Sequence, residues 1–302
     1  MENQNLDVVC FGEVLWDNLP SGRKPGGAVM NVSYHLKNLG LNSHLISRVG
    51  ADQNGNDLLE ELNKLKIDVN YCQIDEEHPT STVEVNISED NEVRYDIVFP
   101  VAWDFIDFDN RFNDLLSNSA ALVYGSLSGR NEISRKTLQH LLKLAPYKVM
   151  DVNLRPPYVD PAYIADLLKY TDLLKLNLEE LVILSDWYGP GCKNESDRVM
   201  LLQEKFTIGE VLVTKGSRGA SYHSKEIEYH WPAYDIIVKD TVGSGDSFLA
   251  AFLSKRLTNT SIKEALNFAS GLSAFITTKI GACPPYHRSD INRFMMESEL
   301  KF

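Results

Sequence analysis

The length, composition and charge of the chain limit the classes of protein to which it can belong. Its 302 residues are 43% hydrophobic, which is enough for one large core or two medium ones. The formal net charge of −12 disfavours nucleic acid and anionic membranes as partners. Residues 1–7 are polar and no secretory signal is visible there, the four cysteines form no C-x-x-C pair, and no apolar run approaches roughly 20 residues. We therefore expect a cytoplasmic protein with reduced thiols.

Short buried strands alternate with amphipathic helices along most of the chain. Runs rich in β-branched residues are apolar on both faces, as strands of a parallel sheet covered by helices should be. These runs are 8–11, 45–49, 121–124, 148–152, 173–176 and 211–214. Two nearby stretches place apolar residues on one helical face, namely Val32, Leu36 and Leu39, then Leu58, Leu62 and Leu65. The alternation predicts an α/β fold with a doubly wound, mostly parallel sheet and helices on both faces.

Residues 81–99 have a different periodicity. Apolar and polar residues alternate there on either side of a polar turn at 88–92, with the apolar positions at Val83, Val85, Ile87, Tyr95, Ile97 and Phe99. Period-two patterning with one polar side predicts an antiparallel hairpin whose second face is open or meets a partner. We expect residues 68–102 to form a small β-sheet lid apart from the main sheet. The alternative is an edge hairpin of the main sheet.

The segment 240–246, Asp-Thr-Val-Gly-Ser-Gly-Asp, carries the strongest chemical signal. It follows an apolar run at 236–238 and precedes apolar residues at helical spacing, which predicts a strand, a glycine turn and a helix. Gly243, Ser244 and Gly245 would present backbone amides to an anion at the helix start. Asp246 is then either a helix cap worth about 1 kcal/mol or the base that takes a proton from an alcohol during phosphoryl transfer.

This segment resembles the C-terminal signature of the PfkB (ribokinase-like) carbohydrate kinases, [Asp/Asn]-Thr-x-Gly-x-Gly-Asp. The N-terminal signature of that family is also recognisable in 26–31, Gly-Gly-Ala-Val-Met-Asn, and in 48–52, although Val29 stands where fructokinase-like members usually carry proline. The resemblance covers essentially the whole chain. It implies one ribokinase-like domain over 1–302, with the lid at 68–102 and part of 12–27 inserted in it. It further implies an ATP-dependent sugar kinase in which Asp246 is the general base.

The resemblance also indicates which residues would bind the sugar. Asp17 matches an aspartate that accepts hydrogen bonds from sugar hydroxyls in similar kinases. Gly26 and Gly27 would let backbone amides reach the sugar, and Asn31 offers both a donor and an acceptor unless it only caps its helix. Arg155 follows a parallel strand at the edge where such sheets bind ligands. It would reach a sugar hydroxyl, a substrate carboxylate or the nucleotide phosphates.

For ATP and Mg²⁺ the resemblance implies a second group of residues. Asn177 would contact ATP phosphate, and Glu180 would arrange Mg²⁺ through water, unless Glu180 is an ordinary charge at a helix start. A strand-end loop resembles the nucleotide loop of the family, although a plain β-turn is the alternative. Ser270, in a later helix, aligns near the adenine or its ribose. The loop residues are Thr214, Lys215, Gly216, Arg218 and Gly219, of which Lys215 or Arg218 would meet phosphate.

Many ribokinase-like members bind a monovalent cation beside the anion turn. Asp240 matches the side-chain ligand of that site, and the matching carbonyl ligands belong to Val242, Ile276, Lys279 and Gly281. Pro285 stands where ribokinase has a serine ligand. The resemblance therefore leaves activation by K⁺ open.

Several positions bear on the identity of the sugar. Ala28 and Ser126 stand where ribokinases carry a lysine and a substrate-contacting glutamate, whereas 151–157 resembles a run found in fructokinases. The order of preference is therefore fructose, then 2-keto-3-deoxygluconate, then ribose, another pentose or a nucleoside. A catalytically silent sugar-binding relative is the alternative from another class, but it should lack Asp246 or the anion turn. The expected partners are a small sugar and a second copy of the chain that pairs through the lid.

Overall fold

The computed structural model describes residues 6–19, 22–87 and 93–300 of the chain. In chain order the strands are β1 (Asp7–Phe11), β2 (Leu15–Leu19), β3 (Gly22–Gly26), β4 (Asn42–Gly50), β5 (Cys72–Asp75), β6 (Thr82–Ile87), β7 (Val93–Ile97), β8 (Ala121–Gly125), β9 (Lys148–Asp151), β10 (Leu173–Asn177), β11 (Glu210–Thr214), β12 (Ala220–Ser224) and β13 (Glu228–Trp231). The helices are α1 (Ala28–Asn38), α2 (Gln53–Lys64), α3 (Arg111–Asn118), α4 (Glu132–Leu144), α5 (Pro161–Leu168), α6 (Leu178–Tyr188), α7 (Glu195–Phe206), α8 (Ser244–Arg256), α9 (Ile262–Thr277) and α10 (Arg288–Glu297). Within the described ranges, none of these helices has the length and apolar character that crossing a bilayer requires.

The larger sheet has nine strands in the order β13-β12-β11-β10-β9-β8-β1-β4-β5. All neighbouring pairs from β11 to β5 are parallel, whereas β12 and β13 are antiparallel additions at one edge. Each apolar run that the sequence identified as a buried strand lies in the parallel part. The predicted doubly wound α/β fold is confirmed.

Helices cover both faces of this sheet because its strands are apolar on both sides. Along β1, Val8 and Cys10 enter one core cluster, which also contains residues of α1, α2, α8 and α9. The alternate residues Val9 and Phe11 enter the other cluster, with residues of α3 to α7. All four side chains are fully buried. The period of two along a strand therefore divides the core into two layers on opposite faces of one sheet.

A second sheet of four strands has the order β3-β2-β6-β7. The predicted small sheet is confirmed, and the alternative of an edge hairpin on the main sheet is wrong. Strands β6 and β7 form the expected antiparallel pair, and β2 joins β6 in parallel. The segment 68–102 is divided between the two sheets, because β5 pairs with β4 in the larger one. The predicted polar turn at 88–92 lies outside the described residues.

The approach to the glycine turn differs from the expectation. Residues 236–238 were predicted to form a strand, and this is wrong, since they pair with no strand of either sheet among the described residues. Ile237 is 87% exposed and Val238 is 58% exposed, and the large sheet ends at β13 without them. The segment is instead attached to the end of α9, where the N–H groups of Lys239 and Asp240 donate to Thr277 O.

Candidate active site

Two helix N-termini meet where Asp246 lies. Asn31 Nδ2, in α1, donates a hydrogen bond of 2.8 Å to Asp246 Oδ2, in the first turn of α8, across 215 residues of sequence. Asn31 Oδ1 in turn accepts from Cys283 Sγ at 3.3 Å. The N-cap of α1 is Gly27, so the suggestion that Asn31 only caps its helix is wrong. Both ends of the Asn31 amide are engaged, which orients the donor toward the carboxylate.

The two glycines of the turn are required for different physical reasons. Gly243 is the N-cap of α8 and has a left-handed backbone, with φ of 74°. A Cβ atom there would also lie 2.5 Å from Ala282 Cβ. Gly245 has no positive φ, but its Cβ would lie 2.8 Å from Lys175 Nζ. The turn thus combines a conformational requirement with a steric one, and it presents the first N–H groups of a helix, which have no partner within the helix.

The carboxyl group of Asp246 is tuned by its surroundings. Burial raises its pKa from 3.8 to about 6, and the negative charge of Asp151 acts in the same direction. The positive charges of Lys175 and Arg155 and the hydrogen bond from Asn31 act against this increase. A carboxylate with a pKa of about 6 is ionised at neutral pH and is a stronger base than an ordinary aspartate.

Asp17 lies on the small sheet and faces the same region. A Cβ atom on Gly26 would collide with Asp17 Oδ2, which explains the glycine opposite this carboxylate. Burial raises the pKa of Asp17 to about 6, and the charge of Arg155 opposes that rise. The thiol of Cys283 is influenced by both Asp246 and Asp17, whose charges add to the effect of burial in raising its pKa. The structure therefore brings Asp17, Asn31 and Asp246 to one place.

The second glycine of the N-terminal signature is held against the loop that follows β1. A Cβ atom on Gly27 would collide with Glu13 O, and Gly27 has a φ of 116°. The side chain of Glu13 accepts a hydrogen bond from Ala28 N at 3.0 Å, while its other oxygen is buried without a partner among the described residues. Glu13 thus fixes the start of α1 and with it the position of Asn31.

A buried lysine beneath the turn was not identified as a site residue from the sequence. Lys175 Nζ donates to both carboxylate oxygens of Asp151, each at 2.9 Å. The two residues are register partners on β10 and β9. The sequence did contain a sign of this pair. A lysine inside a buried apolar strand requires a carboxylate partner, and Asp151 stands at the end of the preceding strand.

Asn177 and Glu180 form the start of α6. Asn177 Oδ1 accepts from Glu180 N at 2.8 Å, and Glu180 Oε2 accepts from Asn177 N at 2.9 Å, which is a capping box. Glu180 Oε1 also accepts from Leu154 N at 2.9 Å, next to Arg155. Both oxygens of Glu180 therefore accept from backbone amides, which fixes the carboxylate and is compatible with a role in arranging Mg²⁺ through water. Among the described residues, no three His, Cys, Asp or Glu side chains are grouped as metal ligands.

The predicted nucleotide loop follows β11 as a short 3-10 turn, Gly216–Arg218. Lys215 Nζ lies 3.1 Å from Glu195 Oε1 in an ion pair, so its ammonium is already neutralised. Arg218 is exposed, and of the two cations it is the one placed to meet an anion from solvent. Ser270, in α9, is 7% exposed, and its hydroxyl is buried without a partner among the described residues.

Asp240 connects the turn to the loop that follows α9. Its carboxylate accepts from Val242 N at 3.0 Å and from Gly281 N at 2.8 Å. The predicted cation-site residues are thus neighbours, but the carboxylate that would bind K⁺ is already hydrogen-bonded to two backbone amides. An exposed apolar strip flanks them, formed by Ile237, Val238, Val242 and Ile280 with exposures of 87, 58, 43 and 63%.

Comparison with known proteins identifies relatives over the whole length. A fructokinase of Klebsiella pneumoniae is 30% identical over 267 residues, with 83% of this chain and 84% of the relative covered. The probable fructokinase-5 of Arabidopsis thaliana is 28% identical, with 97% and 98% covered. Among solved structures, the fructokinase of Xylella fastidiosa with bound ATP has a TM-score of 0.85 at 19% identity, with 96% of this chain and 98% of that chain covered.

A fructokinase double mutant of Vibrio cholerae, in a form bound to fructose, ADP and potassium ion, has a TM-score of 0.84 at 22% identity. It covers 98% of this chain and 100% of its own. These structural likenesses bear on the fold alone. The model of the pfkB family carbohydrate kinases matches residues 11–288. The signature at 240–246, the ribokinase-like fold and this match agree, and the chain therefore belongs to the pfkB family of carbohydrate kinases, which are sugar phosphotransferases.

Proposed function

We propose that the protein is an ATP-dependent fructokinase in which Asp246 is the general base. The observation that carries this proposal is the hydrogen bond from Asn31 to Asp246, which orients the carboxylate beside a glycine turn at a helix N-terminus. The choice of fructose is supported by full-length relatives at 28% identity that are named fructokinases. It is also supported by Ala28 and Ser126, which replace residues typical of ribokinases.

The protein groups that the proposed reaction needs are a positioned base and an anion hole. The sugar hydroxyl oxygen forms a bond to the γ-phosphorus of ATP, and its proton passes to Asp246. The bond between that phosphorus and the oxygen bridging to the β-phosphorus breaks, and ADP leaves with the electron pair. The amides of Gly243 and Gly245, at the positive end of α8, would stabilise the negative charge on the phosphoryl group during transfer. The amide of Ser244, between them, already donates to Thr241 O at 3.2 Å.

The proposed sugar subsite uses Asp17, the Gly26 and Gly27 backbone, Asn31 and Arg155. Asp17 would accept hydrogen bonds from hydroxyls. The absence of Cβ atoms at the two glycines lets the backbone pack against Asp17 Oδ2 and Glu13 O, and the backbone amides there would contact the sugar. Arg155 is exposed and donates to Leu154 O at 3.1 Å. Its charge lowers the pKa of both Asp17 and Asp246, so it is within range of the sugar and of the phosphoryl group.

The proposed nucleotide subsite lies on the other side of the turn. Asn177, the loop from Thr214 to Gly219 and the exposed Arg218 would contact the phosphates, and Ser270 would lie near the adenine or ribose. The exposed apolar strip of Ile237, Val238, Val242 and Ile280 supports this placement, because a nucleotide base would cover it. Mg²⁺ would be arranged through water by Glu180, and it would neutralise phosphate charge. A K⁺ site at Asp240, Val242 and Gly281 would share an Asp240 carboxylate that already accepts from Val242 N and Gly281 N.

We also infer a homodimer through the small sheet, as expected from the one-sided pattern of its strands. Val98 and Phe99, which follow β7, are 38% and 48% exposed, and this supports an apolar contact there. Light scattering on the purified protein tests this inference, and a monomer at micromolar concentration contradicts it. The free cysteines, of which Cys10 is buried, support the cytoplasmic location expected from the sequence.

A screen of sugar-dependent ADP release tests the function. The purified protein is assayed with ATP and Mg²⁺ against fructose, 2-keto-3-deoxygluconate, ribose, glucose and nucleosides. We expect fructose to have the highest kcat/KM and Asp246→Asn to lower the rate of sugar-dependent ADP release by about 10²-fold or more. A higher kcat/KM for another sugar would make that sugar the substrate in place of fructose, and the protein would still be a sugar kinase. Sugar binding without any turnover would favour the catalytically silent relative.

A further inference from the structure

A lysine and an aspartate lie buried directly beneath the glycine turn. Lys175 and Asp151 are 6% and 3% exposed, and both Asp151 oxygens accept from the ammonium at 2.9 Å. They stand opposite each other on two neighbouring parallel strands in the middle of the large sheet. The position of the ammonium is therefore set by the sheet and not by a loop.

The ammonium contacts the turn itself. A Cβ atom on Gly245 would lie 2.8 Å from Lys175 Nζ and 3.6 Å from Lys175 Cε, and Lys175 is the residue of the described chain outside the local helix that it would meet within 4 Å. Gly245 has no positive φ that would otherwise require glycine. The Lys175 ammonium, held by Asp151, thus occupies the space that a side chain at this position would take, and its charge lies against the first turn of α8, next to Asp246.

The groups that face Asp246 come from several elements. Asp151 (β9) and Lys175 (β10) lie below it, Arg155 follows β9, Asn31 comes from α1, and the Cys283 thiol follows α9. Asp151 raises the pKa of Asp246 and Lys175 lowers it, so the two charges act in opposite directions. Removal of either charge should therefore reveal the effect of the other on the pKa of Asp246.

The ammonium remains charged in spite of its burial. Burial by itself would lower the pKa of Lys175, but the carboxylates of Asp151, Glu180 and Asp246 together raise it above its usual value. Removal of this cation would leave those three carboxylates facing one another in a buried region, where each disfavours ionisation of the others.

We propose that Lys175 is a positioning residue of this kinase: its ammonium, held by Asp151, supports the glycine turn from below and keeps the Asp246 carboxylate ionised beside the acceptor hydroxyl. The inference rests on the proposed function, because it acts through Asp246 as the base. It assigns to Lys175 no contact with sugar or nucleotide. Its role is distinct from that of Lys215, which is paired with Glu195 at the end of β11.

The test is the pH dependence of kcat/KM for fructose at saturating MgATP. In the unaltered enzyme the acid limb should have its midpoint near pH 6, the pKa of Asp246. We expect Lys175→Met to move that midpoint upward by about one pH unit or more, because the lost cation no longer favours the carboxylate. Asp151→Asn should move it downward. The double variant should return toward the original midpoint, since both opposing charges are gone.

A matched control uses the neighbouring pair at the other end of the same strands. Lys148 Nζ, at the start of β9, donates to Asp172 Oδ2 at 3.0 Å, at the opposite end of the strand from Asp151. Lys148→Met should leave the acid limb unchanged. Asp17 also has a pKa of about 6, but burial and Arg155 determine it. A shift in the Lys175 and Asp151 variants therefore reports on Asp246.

Thermal melts establish that each variant is folded. If Lys175→Met does not fold, the downward shift in Asp151→Asn becomes the deciding measurement. An acid limb that stays in place in the folded single variants, with activity reduced equally at every pH, would mean a merely structural lysine and would overturn the inference. That result would leave the proposed function intact, whereas a lack of sugar-dependent ADP release in the unaltered protein would overturn the proposed function itself.

Discussion

At the scale of single residues, the main feature is a conflict between stability and the role proposed for Asp246. Its pKa rises from 3.8 to about 6 in the folded protein, with burial as the largest cause. A carboxyl group whose pKa is raised by folding stabilises the protein most below pH 4 and loses that contribution as the pH rises through 6. At neutral pH the ionised side chain therefore costs stability, by about 1–3 kcal/mol. Function at this position requires the less stable form.

The variant Asp246→Asn tests both sides of this conflict. We expect kcat to fall by about 10²-fold or more, the usual size of a general-base contribution, with ATP affinity within a few-fold. The melting temperature at pH 7.5 should be equal to or above that of the unaltered protein, because an uncharged amide replaces a partly buried carboxylate. This gain should disappear at pH 4.5, where Asp246 is protonated. Turnover near the original level would remove Asp246 from the role of base.

At the scale of elements, the glycine turn and the start of α8 depend on close packing against the loop after α9. Gly243 combines a φ of 74° with a would-be Cβ contact of 2.7 Å to Ala282 Cα. Gly40, after α1, has a φ of 93° but nothing within 4 Å of a Cβ atom. Both positions therefore require a residue that can adopt a positive φ, and Gly243 also lies too close to Ala282 for a side chain.

Alanine at these two glycines separates the two requirements. We expect Gly40→Ala to cost about 1–2 kcal/mol of unfolding free energy, the penalty of a left-handed residue with a side chain, and to leave kcat unchanged. Gly243→Ala should cost more and should lower kcat at least tenfold, because Ala282 or the turn must move. Urea denaturation and ADP release measure the two quantities. Equal effects of the two variants on kcat would contradict the assignment of the turn.

At the scale of the whole molecule, the small sheet is connected to the large one by a buried arginine. Arg130 forms a bidentate pair with Asp104, with distances of 2.6 and 2.9 Å, and its Nη2 donates to Val98 O at 2.6 Å. Tyr158 OH donates to Ile97 O at 3.1 Å, and the ring of Tyr158 lies 4.3 Å from the guanidinium. Tyr158 belongs to the loop that carries Arg155, which is a proposed sugar contact. Tyr158 therefore links that loop to the end of β7.

This connection leads to a prediction about closure. We expect fructose to slow hydrogen exchange in Thr82–Ile87 and Val93–Ile97, because a lid over the sugar excludes water that would compete for the phosphoryl group. Tyr158→Phe removes one hydrogen bond and keeps the ring. It should therefore raise the KM for fructose a few-fold with little change in melting temperature. Exchange in both strands that is unaffected by sugar would argue against a lid.

Local patterns in the sequence were enough to identify the parallel strands, the helices beside them, the small sheet and the glycine turn. They succeeded because each depends on residues a few positions apart, as in the alternation around Val83 or the string 240–246. The apolar run at 236–238 misled the prediction, since hydrophobicity alone does not show whether a neighbouring strand is available to pair with it.

Only the tertiary structure decided which charges meet. The contact of Asn31 with Asp246 joins residues 215 apart, and the pair of Lys175 with Asp151 depends on the order and register of two strands. The same is true of Lys215, which looked available for phosphate until its partner Glu195 was known. A side chain's protonation and availability depend on neighbours that the fold brings from distant parts of the chain, and a local pattern contains no information about those neighbours.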